Sequence, residues 1–365
     1  MGKDLHRKPF DEGTQVKLAL YENYIKEWLP VFLAKKDCIY RTINLFDFFA
    51  GPGVDKTGQK GSPLLTIDAL HRYFPQIIDQ SLEVNLFLNE FSKTKIEQLK
   101  ATIFEQKLDK KPINIFYSSD DFQQAFERYY PKMEAEKTAN FLFLDQNGIK
   151  QVSGPVFQSI LELPVTDFLF FISSSFVHRF SEQPSVKKYI DIPKSKLSTC
   201  NYLHIHRKIL EYYRQQIPEG KKYSLAPFTI KKGANVYGLI FGSGHMLGIE
   251  KFLTTCWKID PQRGEANFDI DNDQLNETQP CLFQEMNKSK KQNVFEHELK
   301  EKILNGELTT NKQVYVYTLS NGFLPTHARE AVKALKKEKK LPKQPFYLSY
   351  KSCKWDKEEQ PIQLS

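Results

Sequence analysis

Two patterns of apolar residues alternate along this chain. Short unbroken apolar runs occur at 43–49 (INLFDFF), 83–89 (EVNLFLN), 113–119 (INIFYSS), 140–145 (NFLFLD) and 166–173 (TDFLFFIS). Between them lie stretches of helical spacing, such as 93–106 (KTKIEQLKATIFEQ) and 120–133 (DDFQQAFERYYPKM). An unbroken run predicts a strand covered on both faces, not one half-exposed to water. Strand–helix alternation predicts βαβ units, a parallel sheet and right-handed crossovers. Ahead of the first strand, Leu18, Tyr21, Ile25, Trp28 and Leu29 share one face of a helix predicted over 16–34, with Pro30 ending or kinking it. The predicted class is α/β, a doubly wound Rossmann-like sheet over residues 40–250.

Residues 176–230 interrupt the alternation with helical sequence (YLHIHRKILEYYRQQ) and read as an insertion on the sheet. Strand character returns at 235–243 and helical character at 246–260. Residues 262–290 turn polar, as in a linker. The pattern therefore predicts a first domain over 1–261 and a second over 291–365. The second begins with helices at 294–304 and 312–322, the latter stopped by Asn321-Gly322. Pro325 opens a third helix over 326–340, and 344–352 (QPFYLSYKS) alternates like a strand. That order is a winged helix-turn-helix.

Composition narrows the class. With 40% hydrophobic and 26% charged residues, the chain is an ordinary globular one. No apolar run approaches the roughly 20 residues needed to cross a bilayer, and the first 13 residues lack the apolar centre of a secretion signal. Cys38, Cys200, Cys256, Cys281 and Cys353 are scattered with no C-x-x-C pair. Such spacing argues against a disulfide framework or a zinc site, so reduced thiols and a cytoplasmic location are expected. His204-x-His206 offers half a metal site without a third ligand of fixed spacing, so surface or core histidines are expected there and no metal.

The stretch Asp47, Phe48, Phe49, Ala50, Gly51, Pro52, Gly53 closes the first strand. Ligands of open parallel sheets bind outside the carboxyl ends of the strands, and glycines there let the backbone approach them closely. Gly61-Ser62-Pro63 predicts a helix start with Ser62 as N-cap. Val54-Asp55-Lys56 lacks the third glycine of a dinucleotide loop, and no P-loop lysine follows. A cofactor without a pyrophosphate is favoured, and S-adenosylmethionine is the expected one. Glu90, ending the second strand, can accept from ribose hydroxyls; Asp120 or Asp121, ending the third, can accept from an adenine amino group. Each taken singly reads first as a cap of the helix that follows, but three consecutive strand ends with the right chemistry reverse that preference. Asp145 and Gln146, ending the fourth, can orient or deprotonate a methyl acceptor, with a turn at Asn147-Gly148 capped by Asp145 as the alternative. Gly242-Ser243-Gly244-His245 can line a pocket or form a loop.

The net charge of +8 is concentrated near the C-terminus. There Arg329, Lys333, Lys336, Lys337, Lys339 and Lys340 lie beside His327, a cluster suited to phosphate contact. A solvated helix face and a protein-docking face are the competing readings.

DFFAGPG followed by GSPLL, then LFLNE, FLFLD and YGLIFGSGHMLGIEKFLTTCWKIDP, resembles the three-Cys-motif partner proteins (TcmP). The resemblance runs from Tyr21 to Pro261 and continues into the C-terminal segment. It implies a class I S-adenosylmethionine-dependent methyltransferase-like fold and a partner protein carrying the three-cysteine motif. DFFAGPG also resembles the first motif of cytosine methyltransferases. No Pro-Cys nucleophile follows, however, and the fourth strand lacks a D-P-P-Y ending. The expectation is a methyltransferase-like protein acting on or near nucleic acid with a partner. The alternative is a non-catalytic Rossmann-like and winged-helix adaptor that docks that partner.

Overall fold

The computed structural model describes residues 9–34, 36, 38–146, 148–275, 288–354 and 356–364; Asn147, Cys281 and part of the polar connector lie outside them. The chain divides into two compact units, Met1–Gly244 and His245–Ser365.

The first unit is built on a seven-stranded sheet of order β3-β2-β1-β4-β5-β7-β6. Strands β1 (Thr42–Asp47), β2 (Glu83–Asn89), β3 (Ile113–Ser118), β4 (Thr138–Leu144) and β5 (Thr166–Ile172) are parallel. β6 (Ser224–Lys232) and β7 (Asn235–Ser243) complete the sheet, with β7 antiparallel to both β5 and β6. The chain runs outward from β1 through β2 to β3 and then crosses back over β1 to β4, and this switch of direction opens a crevice at the carboxyl ends of the strands.

β6 is a correction to the sequence pattern, which read helix up to residue 230. SLAPFTIKK carries no unbroken apolar run, and its Pro227 argues for an edge position, where a missing N–H costs least. A short turn through Gly233, at φ 59°, returns the chain into β7.

Helix α1 (Glu12–Leu33) starts where the Asp11 carboxylate accepts from Thr14 N, and it contains Pro30 without ending there. Tyr21, Tyr24 and Trp28 pack from it onto Phe141 and Phe143 of β4. The crossover helices are α2 (Ser62–His71), α3 (Phe74–Asp79), α4 (Lys93–Glu105), α5 (Phe122–Met133) and α6 (Gly154–Glu162). The insertion after β5 holds α7 (Ser174–Phe180), α8 (Pro184–Lys187), α9 (Lys194–Ser198) and α10 (Ile205–Gln215).

A row of polar side chains crosses the interior of this apolar sheet. Asn114 Nδ2 donates to Asn85 Oδ1 at 3.0 Å, and Asn85 Nδ2 donates to Asn44 Oδ1 at 3.0 Å. Asn44 Nδ2 continues to Asn140 Oδ1 at 3.3 Å, and Asn140 Nδ2 to Thr166 Oγ1 at 3.1 Å. These residues stand at directly paired positions of β3, β2, β1, β4 and β5.

The second unit holds α11 (Met246–Ile259), α12 (Lys290–Leu304), α13 (Asn311–Ser320), α14 (Pro325–Lys337) and α15 (Tyr350–Cys353). Helix α11, which the apolar pattern places with the sheet, belongs to this unit, where Trp257 Nε1 donates to Gly322 O at 2.9 Å. The strand expected over 344–352 is not formed. Ser349 accepts from Ser352 N and starts the short α15, while Tyr347 is exposed. An isolated bridge, Thr310 to Pro361, is the β-type pairing recorded in this unit among the described residues.

Removing a central rung of the amide row leaves buried polar groups unpaired. Asn44→Ala is expected to lower the free energy of unfolding by about 1–3 kcal/mol for each buried group it strands. Asn114→Ala, at the half-buried outer end, should cost less. Urea unfolding midpoints compare the two, and equal shifts would count against the row as a stabilising unit.

Candidate cofactor cavity

A cavity of about 750 Å³ opens at the carboxyl ends of β1 to β4, within the usual size of small-ligand sites. Phe48, Phe49, Ala50 and Gly53 form its floor, and Glu90, Phe91, Asp120, Asp121 and Phe122 form one side. Asp145 and the segment running from Pro9 into α1, including Phe10 and Lys17, form the other.

The glycine loop owes part of its shape to a carboxylate that does not line the cavity. Asp47 is buried beneath it, its Oδ1 accepting from Phe49 N at 3.1 Å and its Oδ2 from Ser62 Oγ at 2.6 Å. Ser62 is thus spent on Asp47, and Gly61 is the N-cap of α2. Gly51 and Gly53 sit at φ 62° and 87°, a region that favours glycine. A Cβ on Gly53 would come within 2.6 Å of Leu99 and 2.7 Å of Leu64, so any larger residue disturbs packing as well as the cavity. Pro52 faces a separate surface groove.

The next strand ends are joined by Asn89. Its Nδ2 donates to Phe48 O and Asp120 O, and its Oδ1 accepts from Ser118 Oγ and Asp120 N. Glu90 accepts from Gly51 N at 3.1 Å and from Ser92 N at 3.0 Å. Those two bonds hold its carboxylate at the wall while leaving lone pairs for further donors. Asp120 pairs with Arg128 at 2.6 Å, and Asp121 caps α5 by accepting from Gln124 N at 3.1 Å.

Asp145 lines the cavity in an ion pair with Lys17 of α1. Gln146 does not join it. Its side chain is buried and accepts from Gln151 N at 2.8 Å, shaping the loop that follows β4. The wall also carries residues that sequence patterning missed: Lys17, Phe10, Phe91 (73% exposed) and the Asp11–Lys232 pair at 2.6 Å. Asp55 draws the N-terminal segment over the loop by accepting from Phe10 N at 2.7 Å, as well as from Thr57 N and Gln59 N. Burial opposes its ionisation, but these donors outweigh burial and hold its pKa below the usual range.

Five carboxylates of the wall (Asp11, Glu90, Asp120, Asp121, Asp145) face three lysines (Lys17, Lys95, Lys232), a balance that suits a cation better than a pyrophosphate. Burial pushes Asp47 up to about 7, with Asp145 and Glu90 adding to the effect and the Ser62 and Phe49 donors opposing it.

In the second unit His327 is half-buried at the start of α14. Its Nδ1 accepts from Leu324 N at 3.0 Å, and its ring packs 4.1 Å from that of Trp257. Burial lowers its pKa to about 4, so it is neutral near pH 7. Arg329, Lys333 and Lys337 are exposed at four-residue spacing along one face of α14. Lys336 instead reaches back to Gln344 O at 2.5 Å. Among the described residues no group of His, Cys, Asp or Glu is arranged to hold a metal. No described helix is long and apolar enough to cross a membrane.

Asp47 makes stability depend on pH. Its folded pKa lies above its unfolded value, so its contribution is complete below about pH 4 and is lost as pH rises through about 7. Asp47→Asn should flatten stability over that window, leaving the smaller contribution of Asp167, which burial pushes up to about 6. Urea unfolding at several pH values tests this; an unchanged slope in the variant would refute it.

Residues 269–345 match the family described as GMT-like wHTH domain, so the second unit carries a winged helix-turn-helix. No protein of curated function matches the sequence. Among solved structures, the chain is similar to Trm1 from Pyrococcus horikoshii with S-adenosyl-L-methionine (12% identity, TM-score 0.39, 66% of this chain and 59% of that one). It is also similar to a SAM-dependent methyltransferase from Agrobacterium tumefaciens (11%, 0.36, 65% and 63%). A third is the O-methyltransferase TomG from Streptomyces achromogenes in complex with SAM (10%, 0.34, 64% and 90%). The chain spans less than two thirds of the first two.

Proposed function

We propose that this protein is a methyltransferase-like, S-adenosylmethionine-binding protein that acts on or near nucleic acid. Its partner is a three-Cys-motif protein, as the TcmP resemblance implies, and its location is cytoplasmic. The observation that carries the reading is the cavity at the switch point of the sheet. It combines a glycine loop in the left-handed region, a carboxylate held ready by two backbone N–H groups, and an acidic wall. Glu90 accepts from the ribose hydroxyls, Phe91 and Phe122 flank the adenine, and Asp120 or Asp121 accepts from its amino group. Gly51 and Gly53 let the backbone lie against the ligand, while Asp47 shapes the loop from beneath. Bound S-adenosylmethionine supplies an activated methyl group, and Asp145 faces the acceptor side. Winged-helix docking on nucleic acid runs through Arg329, Lys333 and Lys337 of α14. The alternative is the non-catalytic adaptor that docks the partner, and turnover with a defined methyl acceptor separates the two.

Calorimetry should detect binding of S-adenosylmethionine or S-adenosylhomocysteine, and Glu90→Ala should weaken it by about 1.5–3 kcal/mol, the range for hydrogen bonds to a charged group. Binding of NAD in place of either ligand would sink the assignment. For α14, replacing Arg329, Lys333 and Lys337 with Glu should lower affinity for duplex DNA or RNA. It should also reduce the slope of log affinity against log salt by roughly one per lost phosphate contact. Identical titrations for wild type and variant at several salt concentrations would remove this helix from the interface.

A further inference from the structure

The cavity has two halves set by the strand order. The ends of β2 and β3 carry Glu90, Phe91, Asp120 and Phe122 on one side of β1, and the end of β4 carries Asp145 on the other. On the β4 side two ion pairs join the α1 segment to the carboxyl edge of the sheet. They are Lys17 with Asp145 and, toward β6, Asp11 with Lys232. Lys17 also lies 5.0 Å over the ring of Phe171 on β5, which fixes it to this half. Both members of the first pair are partly accessible, at 12% and 23%, and both line the cavity. The β4 half therefore presents a charged donor directly beside a charged acceptor, in a cavity that also carries the rings of Phe10 and Phe49, the latter stacked on Phe122 of the other half.

We infer that this pair reads the edge of an unpaired nucleobase bearing an exocyclic amine, adenine or cytosine, and that the amine nitrogen is the methyl acceptor. The inference rests on the cofactor reading above. An amine N–H donates to Asp145, and the adjacent ring nitrogen accepts from Lys17. The base stacks on the phenylalanine rings, as unstacked bases do in protein sites. Guanine, uracil and thymine carry a carbonyl oxygen where the amine would stand, with an N–H beside it, and so present the opposite order of donor and acceptor. In the transfer, the amine lone pair forms the N–C bond as the bond between that carbon and sulfur breaks. The sulfur leaves as a neutral thioether, and the nitrogen's proton passes to Asp145 and on to water. Lys17 acts as a positioning residue that orients both Asp145 and the base.

The test uses the full chain saturated with S-adenosylhomocysteine, which cannot react. Fluorescence anisotropy compares single-stranded oligonucleotides containing adenine or cytosine with matched strands containing hypoxanthine or uracil, at fixed salt. Wild type should prefer the amine-bearing strand by roughly tenfold or more, the worth of one charged hydrogen bond. Asp145→Asn and Lys17→Met should each erase the preference, and Lys17→Arg should retain it. S-adenosylhomocysteine affinity, measured alongside, shows that each variant is folded. Equal affinity of wild type for both strands while S-adenosylhomocysteine binds normally would overturn the nucleobase inference alone. Failure of wild type to bind S-adenosylhomocysteine would overturn the cofactor reading beneath it as well.

Discussion

The hydrogen-bonded row Asn114–Asn85–Asn44–Asn140–Thr166 is the constraint on which the rest of the first unit depends. Strands covered on both faces have apolar side chains pointing both ways, so apolar burial alone specifies their register weakly. A one-residue slip would still leave most side chains in an apolar layer. It would also turn each amide to the opposite face and strand it in that layer, at a cost of about 1–3 kcal/mol per unpaired group. The amides thus convert an ambiguous set of apolar runs into one alignment. In that alignment Asp47 stands level with Leu88 and Phe143, and Asn89 with Ser118. The ends of β1 to β4 then meet at one cavity. Asn89 fastens three of them again at the rim, through bonds to Phe48, Ser118 and Asp120.

Charge at the rim follows a consistent rule. Asp11, Asp120 and Asp145 each have a cation at ion-pair distance, and Glu90 and Asp121 each accept from backbone N–H groups. The wall therefore carries negative charge in fixed positions without leaving it unsupported. Asp47 is treated differently: burial, with neighbouring carboxylates adding to it, pushes its pKa up to about 7, far above the ordinary carboxylate range. Its function is geometric, tying the glycine loop to the first turn of α2 through Ser62. Because Lys17 and Asp11 belong to α1 and its cap, the helix that precedes the sheet in sequence is also a wall of the site.

Several residues were legible as candidates but not in their roles. Ser62 is a good N-cap by type, yet its hydroxyl is drawn to a buried carboxylate, which is the stronger partner. Gln146 follows Asp145 and is equally polar, but it points inward and holds the Gln151 backbone. His327 sits among lysines in the sequence, while on α14 it faces Trp257 at the helix start. In each case the residue type was informative and its direction was not.

The apolar pattern alone determined the α/β class, the positions of β1 to β5 and β7, the three helices of the winged segment and the place of the glycine loop. Those features are local: two-sided burial leaves unbroken runs, helices leave periodic ones, and strand, glycine loop and helix follow one another directly. Only the tertiary structure decided that SLAPFTIKK forms the edge strand β6, because an edge strand takes its stability from pairing with β7 and not from its own pattern. It alone decided which side chains line the cavity as well. Lys17 and Asp145 lie 128 residues apart and Phe10 and Asp55 lie 45 apart, so neither contact leaves a trace in local spacing. Such pairings depend on how the whole sheet brings distant strand ends and the leading helix to one edge, information that no window of the sequence contains.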